Sequence, residues 1–319
     1  MKSTIMKILG VVAVGAGLFA GGTSAMAADA ATCQKVRLSD VGWTDITAIT
    51  AMAAAILEPM GYQGEISQLA VPVTYASMKN KDIDVFLGNW MPSMENDIKA
   101  YREDGSVETI GANLEGAKYT LAVTQGIYDA GLKDFADIAK FKDKLGGKIY
   151  GIEPGNDGNR LVLDVIKEPK FGLDGFELVE SSEAGMLAQV AKSTAAGEDV
   201  VFLGWAPHPM NANYKMQYLT GGDDYFGPNF GGANVYTNVR QGYLTECPNA
   251  GKFVSNLKFT MDMENLVMGE ILNKGADPKA AALAWVKANP DALTAWLDGV
   301  TTFDGSGDAL TAVKAGLGL

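Results

Sequence analysis

The chain is poor in the side chains from which enzymes build active sites. His208 is the sole histidine, set between Pro207 and Pro209 with no evident Ser or Cys partner in sequence. It reads as a loop residue rather than a catalyst. Two cysteines and one histidine cannot furnish an ordinary four-ligand zinc site. Beyond the N-terminal leader there is no G-x-S-x-G, no P-loop and no G-x-G-x-x-G. Acidic residues are plentiful, but no spacing singles out a general acid/base pair, and most belong on solvated faces. Catalysis, a bound metal and a cofactor are therefore not expected. Basic charge is in deficit too: 26 Lys and Arg against 38 Asp and Glu give a net charge of −12. Such a surface repels nucleic acid and anionic membrane and attracts cations weakly.

Long apolar runs are missing as well, apart from one at the start. Lys2 and Lys7 form a positive n-region, residues 8–22 are apolar and Gly/Ala-rich, and Ala25-Met26-Ala27 gives a small-x-small cleavage pattern. The run is short for a membrane span and lacks a basic stop-transfer flank. A signal peptide cleaved after Ala27 is expected, leaving a soluble, exported chain of roughly 290 residues, enough for one large domain or two lobes. No Cys stands at the cleavage point, which argues against a lipoprotein anchor. Losing Lys2 and Lys7 lowers the basic count to 24 and the net charge to −14. In an exported chain the even pair Cys33 and Cys247 is most simply a disulfide. Closing so long a loop is worth up to roughly 5 kcal/mol by chain entropy. It would also return the late chain to the body that holds the N-terminus.

What is present is alternation. Residues 35–38 read as a strand, followed by Trp43. Apolar residues at helical spacing over 45–60, stopped by Gly61, predict a helix. A second strand over 64–73, a short helix over 74–79 and a third strand over 83–87, delivering Trp90, complete a β-α-β-α-β series. That series implies a parallel sheet with helices on its faces. A second unit starts near Tyr119, with strands at 119–123, 148–152, 176–179 and 200–203, the last delivering Trp205. Short helices are expected at 132–138 and 161–166, which places Asn156 in a strand-to-helix loop. The final hundred residues add a strand at 234–239 and helices rich in Met, Leu and Ala. With the disulfide, the middle unit becomes an insertion crossed by two connections, near 110–118 and within 206–235. The fold expected is α/β with two lobes, each a mostly parallel sheet flanked by helices, hinged around a cleft. Its parts are the leader at 1–27, a first lobe at 28–114, a second at 115–210, and a return at 211–319.

Two stretches nearly repeat each other: Asp-Val-Phe-Leu-Gly-Asn-Trp-Met-Pro ending at Pro92 and Val-Val-Phe-Leu-Gly-Trp-Ala-Pro ending at Pro207. Each is a strand-like run that ends in Gly, places a Trp and turns at Pro. Ligands of open α/β sheets bind beyond the carboxyl ends of strands. Trp43, Trp90 and Trp205 thus become candidate ligand walls, whereas Trp285 and Trp296, among Ala, Leu and Val, read as core. Three indoles suit a flat ring or a cation without N–H groups, since desolvated cation–π contacts reach about 2 kcal/mol each. Asp45 would either add a negative charge beside such a box or cap the helix that starts there.

These residues resemble the substrate-binding proteins of ABC transporters for choline and glycine betaine, over essentially the whole mature chain. The markers are Gly42-Trp43-Thr44-Asp45, the segment ending at Trp90, Lys118-Tyr119, Pro154-Gly155-Asn156-Asp157, and the segment ending at Pro209. The resemblance implies a type II two-lobed periplasmic binding protein fold, a periplasmic location, a permease partner in the inner membrane and a monomer. It also implies an aromatic box of Trp43 and Trp90 from one lobe, Tyr119 and Trp205 from the other. Asp45 would complete the cation site and Asn156 would reach the ligand's polar end. With an acid and a neutral amide but no firmly placed base, the charge balance favours choline, with acetylcholine as a further ligand, over glycine betaine. The rival of another class is a secreted choline-ester hydrolase, which would need a nucleophile or metal that the sequence does not display.

Overall fold

The structure, a computed structural model, describes residues 28–319; the expected leader at 1–27 lies outside them. Strands β1 (Lys35–Asp40), β2 (Gln63–Gln68) and β3 (Val85–Met91) form a parallel group, with β1 in the middle. Strands β5 (Lys148–Tyr150), β6 (Glu177–Val179) and β7 (Val201–Ala206) form another, with β5 in the middle. Two strands of opposite sense join the groups. β9 (Gly232–Arg240) runs antiparallel to β3 and to β4 (Val107–Thr124), and β4 runs antiparallel to β7. With β8 (Met216–Tyr218) beside β4, the sheet order is β2-β1-β3-β9-β4-β7-β5-β6.

The parallel groups match the expected alternation; the antiparallel join was only partly foreseen. β4 is 18 residues long, not the five expected, because Gly111 and Gly116 break its pattern and its register against β9 shifts repeatedly. Polar side chains tie the join: Tyr75 Oη donates to the buried Asn89 Oδ1 on β3 at 3.1 Å, and Thr109 Oγ1 on β4 donates to the buried Asn238 Oδ1 on β9 at 2.9 Å. The second strand ends at Gln68 rather than residue 73, since Pro72 sits in the first turn of the helix Val71–Lys79. The helix expected at 132–138 is a 3-10 segment, Phe135–Phe141, started by a capping box between Asp134 and Asp137.

In the near-repeat, neither strand stops at its glycine. β3 continues through Gly88 and Trp90 to Met91, and β7 through Gly204 and Trp205 to Ala206; each then meets a cis X–Pro bond. The glycines make room. A Cβ on Gly88 would lie 2.9 Å from the side chains of Ile46 and Phe86, and one on Gly204 would lie 2.8 Å from Ala122 Cβ.

The first group's core is closed by the helix Thr44–Leu57, buried almost all round, as a helix between a sheet and other helices must be. The late helices Met261–Lys274 and Pro278–Ala288 pack on it. Trp296 is core, donating its indole N–H to Lys258 O at 2.9 Å, while Trp285 stacks on it half-buried. The late chain is tied to the start as the cysteines implied. Cys33 and Cys247 form a disulfide with a Cα–Cα distance of 5.5 Å. Beside it the Asp29 carboxylate accepts from the Asn249 and Ala250 N–H groups at 2.9 Å each, at the N-terminus of the helix Pro248–Asn256. No helix among the described residues is long and apolar enough to cross a membrane.

Replacing both Cys33 and Cys247 by Ser releases a constraint on a loop of over two hundred residues. Urea unfolding is expected to show a loss of about 2–5 kcal/mol, with a native circular-dichroism spectrum retained before the transition.

Candidate functional site

The site forms where the ends of β3 and β7 approach across the joining strands. Tyr119 on β4 stands opposite Trp205 on β7 in the strand register, which places these rings edge to face at 6.2 Å between centroids. Trp90 on β3 approaches Tyr119 from the other side, at 6.0 Å and 62°. Trp43 and Asp45 come from the start of the helix Thr44–Leu57, which follows β1. Trp43, Asp45, Trp90, Tyr119, Trp205 and Ile152 line one narrow cavity.

Hydrogen bonds fix the polar tips of three of the rings. Trp43 Nε1 donates to Glu153 Oε1 at 2.8 Å, Trp90 Nε1 to Asp45 Oδ2 at 3.1 Å, and Tyr119 Oη to Asn156 Oδ1 at 3.0 Å. An aromatic face carries negative quadrupole, and such faces converge here. Behind the Trp205 wall lies His208, its ring centroid 4.8 Å from that of the indole.

Asp45 is 1% exposed. It is not the helix cap: Trp43 occupies that position and Asp45 lies in the first turn. Its Oδ2 accepts from Trp90, whereas its Oδ1 is buried with no partner in the protein. Burial, followed by the charge of Glu183, pushes its carboxyl up to about 8 against the pull of the Ile46 N–H and the Trp90 indole. Once ionised, a carboxylate in such a place is an incomplete ion pair, because the cavity lining holds no cation.

Five of the six residues singled out in the sequence therefore meet at one cavity. Asn156 does not line it. Its Oδ1 accepts from Tyr119 Oη and from Asn159 N, capping the helix Asp157–Lys167, and its Nδ2 donates to Asp157 Oδ1 at 3.2 Å. It orients the tyrosine wall from behind. His208, expected in a loop, is buried at 1% exposure. Its Nδ1 accepts from Met210 N, so the proton on Nε2 is directed at Glu183 Oε1, 3.1 Å away. Lys118 turns away from the cavity, donating to the carbonyls of Asn229 and Phe230. Ile152, Glu153 and Glu183 had no sequence signal as site residues, although Ile152 and Glu153 directly precede the Pro154–Asp157 marker. Among the described residues no group of three or more His, Cys, Asp and Glu has a metal-binding arrangement.

Comparison with known proteins gives this geometry a context. A family model described as the substrate binding domain of ABC-type glycine betaine transport system matches residues 34–288. The solved structure of an ABC-transporter choline binding protein in complex with choline is 64% identical, with a TM-score of 0.88, over 90% of this chain and 99% of that one. Lactococcal OpuAC, solved closed with glycine betaine, is 25% identical with a TM-score of 0.75, over 82% of this chain and 98% of that one. The glycine betaine/carnitine transport binding protein of Listeria monocytogenes is 31% identical over 171 residues, 54% of this chain and 56% of that protein. The two strand groups and their double crossing are thus the type II two-lobed binding-protein fold. The match over residues 34–288 makes the chain a binding component of transport rather than an enzyme: it belongs to the family of substrate-binding domains of ABC-type glycine betaine transport systems.

Proposed function

We propose that this protein captures choline outside the cytoplasm, in the periplasm after cleavage of its leader, and delivers it to a membrane permease. The observation that carries the ligand is the unpartnered Oδ1 of Asp45 inside a cavity walled by Trp43, Trp90, Tyr119 and Trp205. A quaternary ammonium has no N–H to donate, so it needs aromatic faces and a diffuse countercharge rather than a hydrogen-bonding acid. Indole faces supply the first and Asp45 the second. The 64% identity to a protein solved with choline supports the same reading.

Glycine betaine, the ligand in the family's description, is the alternative. Its carboxylate would need donors, yet the lining holds an acid and no base, with Glu153 and Glu183 hydrogen-bonded just behind it. Choline, which keeps a net positive charge, fits that balance better. Its hydroxyl has to find its partner at the Asn156 side, where Tyr119 Oη and Asn156 already meet.

We place the first lobe at 28–114, the second at 115–210 and the return at 211–319, with the chain crossing on β4 near Lys118 and on β9 near Gly232. Trp43, Asp45 and Trp90 then belong to one lobe, Tyr119, Ile152 and Trp205 to the other. The full box exists only in the closed form, so ligand selects closure.

Calorimetry against choline, acetylcholine and glycine betaine tests the ligand: choline is expected to bind more tightly than betaine, and the reverse order would overturn the choice. Trp90→Ala and Trp205→Ala should each weaken choline at least about tenfold, given about 2 kcal/mol per desolvated cation–π contact.

The pH dependence has a definite sign. Asp45 must be ionised to serve the cation, and in the site its carboxyl titrates near 8. Choline affinity is therefore expected to fall as pH drops from 9 towards 6, by up to about tenfold per unit below the midpoint. Asp45→Asn should bind weakly and with a flatter profile. Titrations from pH 6 to 9 check both, and the same slope in Asp45→Asn would assign the titration elsewhere.

Gly158, in the first turn of the helix Asp157–Lys167, lies against the tyrosine wall: a Cβ there would fall 1.8 Å from Tyr119 Oη. Gly158→Ala favours the helix by about 0.5–1 kcal/mol yet forces the tyrosine off Asn156. Choline affinity measured by calorimetry should drop several-fold while the melting temperature changes little.

A further inference from the structure

Glu183 is the first residue of the helix Glu183–Ala196 and is 4% exposed, although it touches no part of the cavity. Its carboxylate is used in three directions. Oε2 accepts the Thr44 backbone N–H at 2.8 Å, Oε1 accepts the Thr44 hydroxyl at 2.6 Å, and Oε1 also faces His208 Nε2 at 3.1 Å. Thr44 lies between Trp43 and Asp45, and His208 backs Trp205. One carboxylate thus joins the chain segment that bears half of the box to the wall that bears the other half.

We propose that Glu183 is a positioning residue that latches the two lobes and sets how fast bound ligand escapes. The inference rests on the lobe division and choline reading given above. Three features carry it. The bonds are charge-assisted and buried, which makes them about twice as strong as neutral ones. They run between segments 139 residues apart in sequence that the lobe division assigns to opposite lobes, so on that division they form on closure. They hold the backbone of Thr44, so the adjacent Trp43 and Asp45 are fixed by them. A second carboxylate pairing of this sort, Arg160 with Asp97 at 2.9 and 2.5 Å, lies at the far side of the helix Asp157–Lys167; it links the lobes without touching any residue that lines the cavity. Glu153, which accepts the Trp43 indole N–H, also joins the lobes at the box; Glu183 differs in holding the Thr44 backbone and hydroxyl together with His208 behind Trp205.

The latch also carries a charge that Asp45 senses. Around Asp45 stand Glu183, Glu264 on the helix Met261–Lys274 and Tyr119 on β4; around Glu183 stand Asp40 of β1, Glu153 and His208. Glu183 holds the Asp45 proton on more tightly, as burial does. Ligand cation and latch anion therefore favour each other: closure brings the second anion near the site, and choline offsets it.

Stopped-flow tryptophan fluorescence with choline, on the wild-type chain and on Glu183→Gln and Thr44→Val, tests the latch. Glu183→Gln is expected to raise the dissociation rate at least about tenfold, with the association rate within about threefold, and to move the pH midpoint of affinity downward. Thr44→Val, altering the other lobe and keeping the backbone bond, should raise dissociation by a smaller factor. Should Glu183→Gln fail to fold, Thr44→Val carries the test. Unchanged dissociation rates, or a loss confined to association, would overturn the latch. A wild-type chain that binds no choline would instead overturn the ligand reading. The latch then stands or falls on amide exchange at Thr44, expected to be protected in the wild type and released by Glu183→Gln.

Discussion

The pairing of β9 with both β3 and β4 is the constraint on which the site depends. It fuses two parallel groups, each able to bury its own helices, into one sheet, and it fixes the distance between their strand ends. Trp90 pairs with Val235 on one edge of β9, while Leu114 and Ala117 of β4 pair on the other; five residues beyond Leu114 on β4, Tyr119 meets Trp205. Two rings that arise 115 residues apart in the chain are thereby placed by backbone hydrogen bonds rather than by side-chain packing alone. Loops would hold them less well, because a box of faces loses its cation contact when one wall tilts. The same strands must bend for the lobes to part, and their repeated register shifts put that bend where the regular ladder is already broken.

Electrostatically the site is a shell of acids, of which Asp45 lines the cavity with its Oδ1 unpartnered. Glu153 and Glu183 each accept hydrogen bonds, and Asp157 lies beneath, its carboxyl pushed up to about 7 mainly by burial. Burying several carboxylates costs stability unless each finds a donor. The donors found are a tryptophan indole, a threonine, a histidine and backbone amides, none of which brings a full positive charge into the cavity. The acid that faces the cavity is Asp45, whose buried carboxyl keeps its proton up to about 8. A ligand that brings a delocalised positive charge thus recovers a cost built into the fold, which is how a small cavity of mostly apolar walls can discriminate by charge.

Much of this was legible in the sequence, for physical reasons. Parallel strands followed by helices leave a strong alternation, and an even pair of cysteines behind a leader leaves few pairings. Trp43, Trp90 and Trp205 stood out because each follows or ends a strand-like run. Other features were hidden because they depend on pairing. The strands run on through Gly88 and Gly204, since those glycines make space for Ile46 and Ala122 rather than stopping the ladder. β4 looked short because its glycines interrupt the pattern, although β9 pairs with it from Val107 to Lys118. Glu183 carried no signal in the sequence, and His208, between two prolines, looked like a loop residue. Only folding sets the two within 3.1 Å of each other.

Asn156 shows why spacing alone misassigns such residues. A buried amide has one acceptor and two donor hydrogens, and here the acceptor is taken by Tyr119 Oη and the Asn159 N–H. An amide engaged in this way cannot also accept from a ligand hydroxyl without releasing the tyrosine. Only its Nδ2, which donates to Asp157, retains a hydrogen to offer. The asparagine therefore acts first on the wall: it holds the Tyr119 ring edge-on to Trp90 and Trp205, and any effect on the ligand's polar end passes through that ring. The polar half of the site is thus built like the aromatic half, with Trp43 and Tyr119 each held by a partner behind it, whereas Asp45 lines the cavity with its Oδ1 unpartnered.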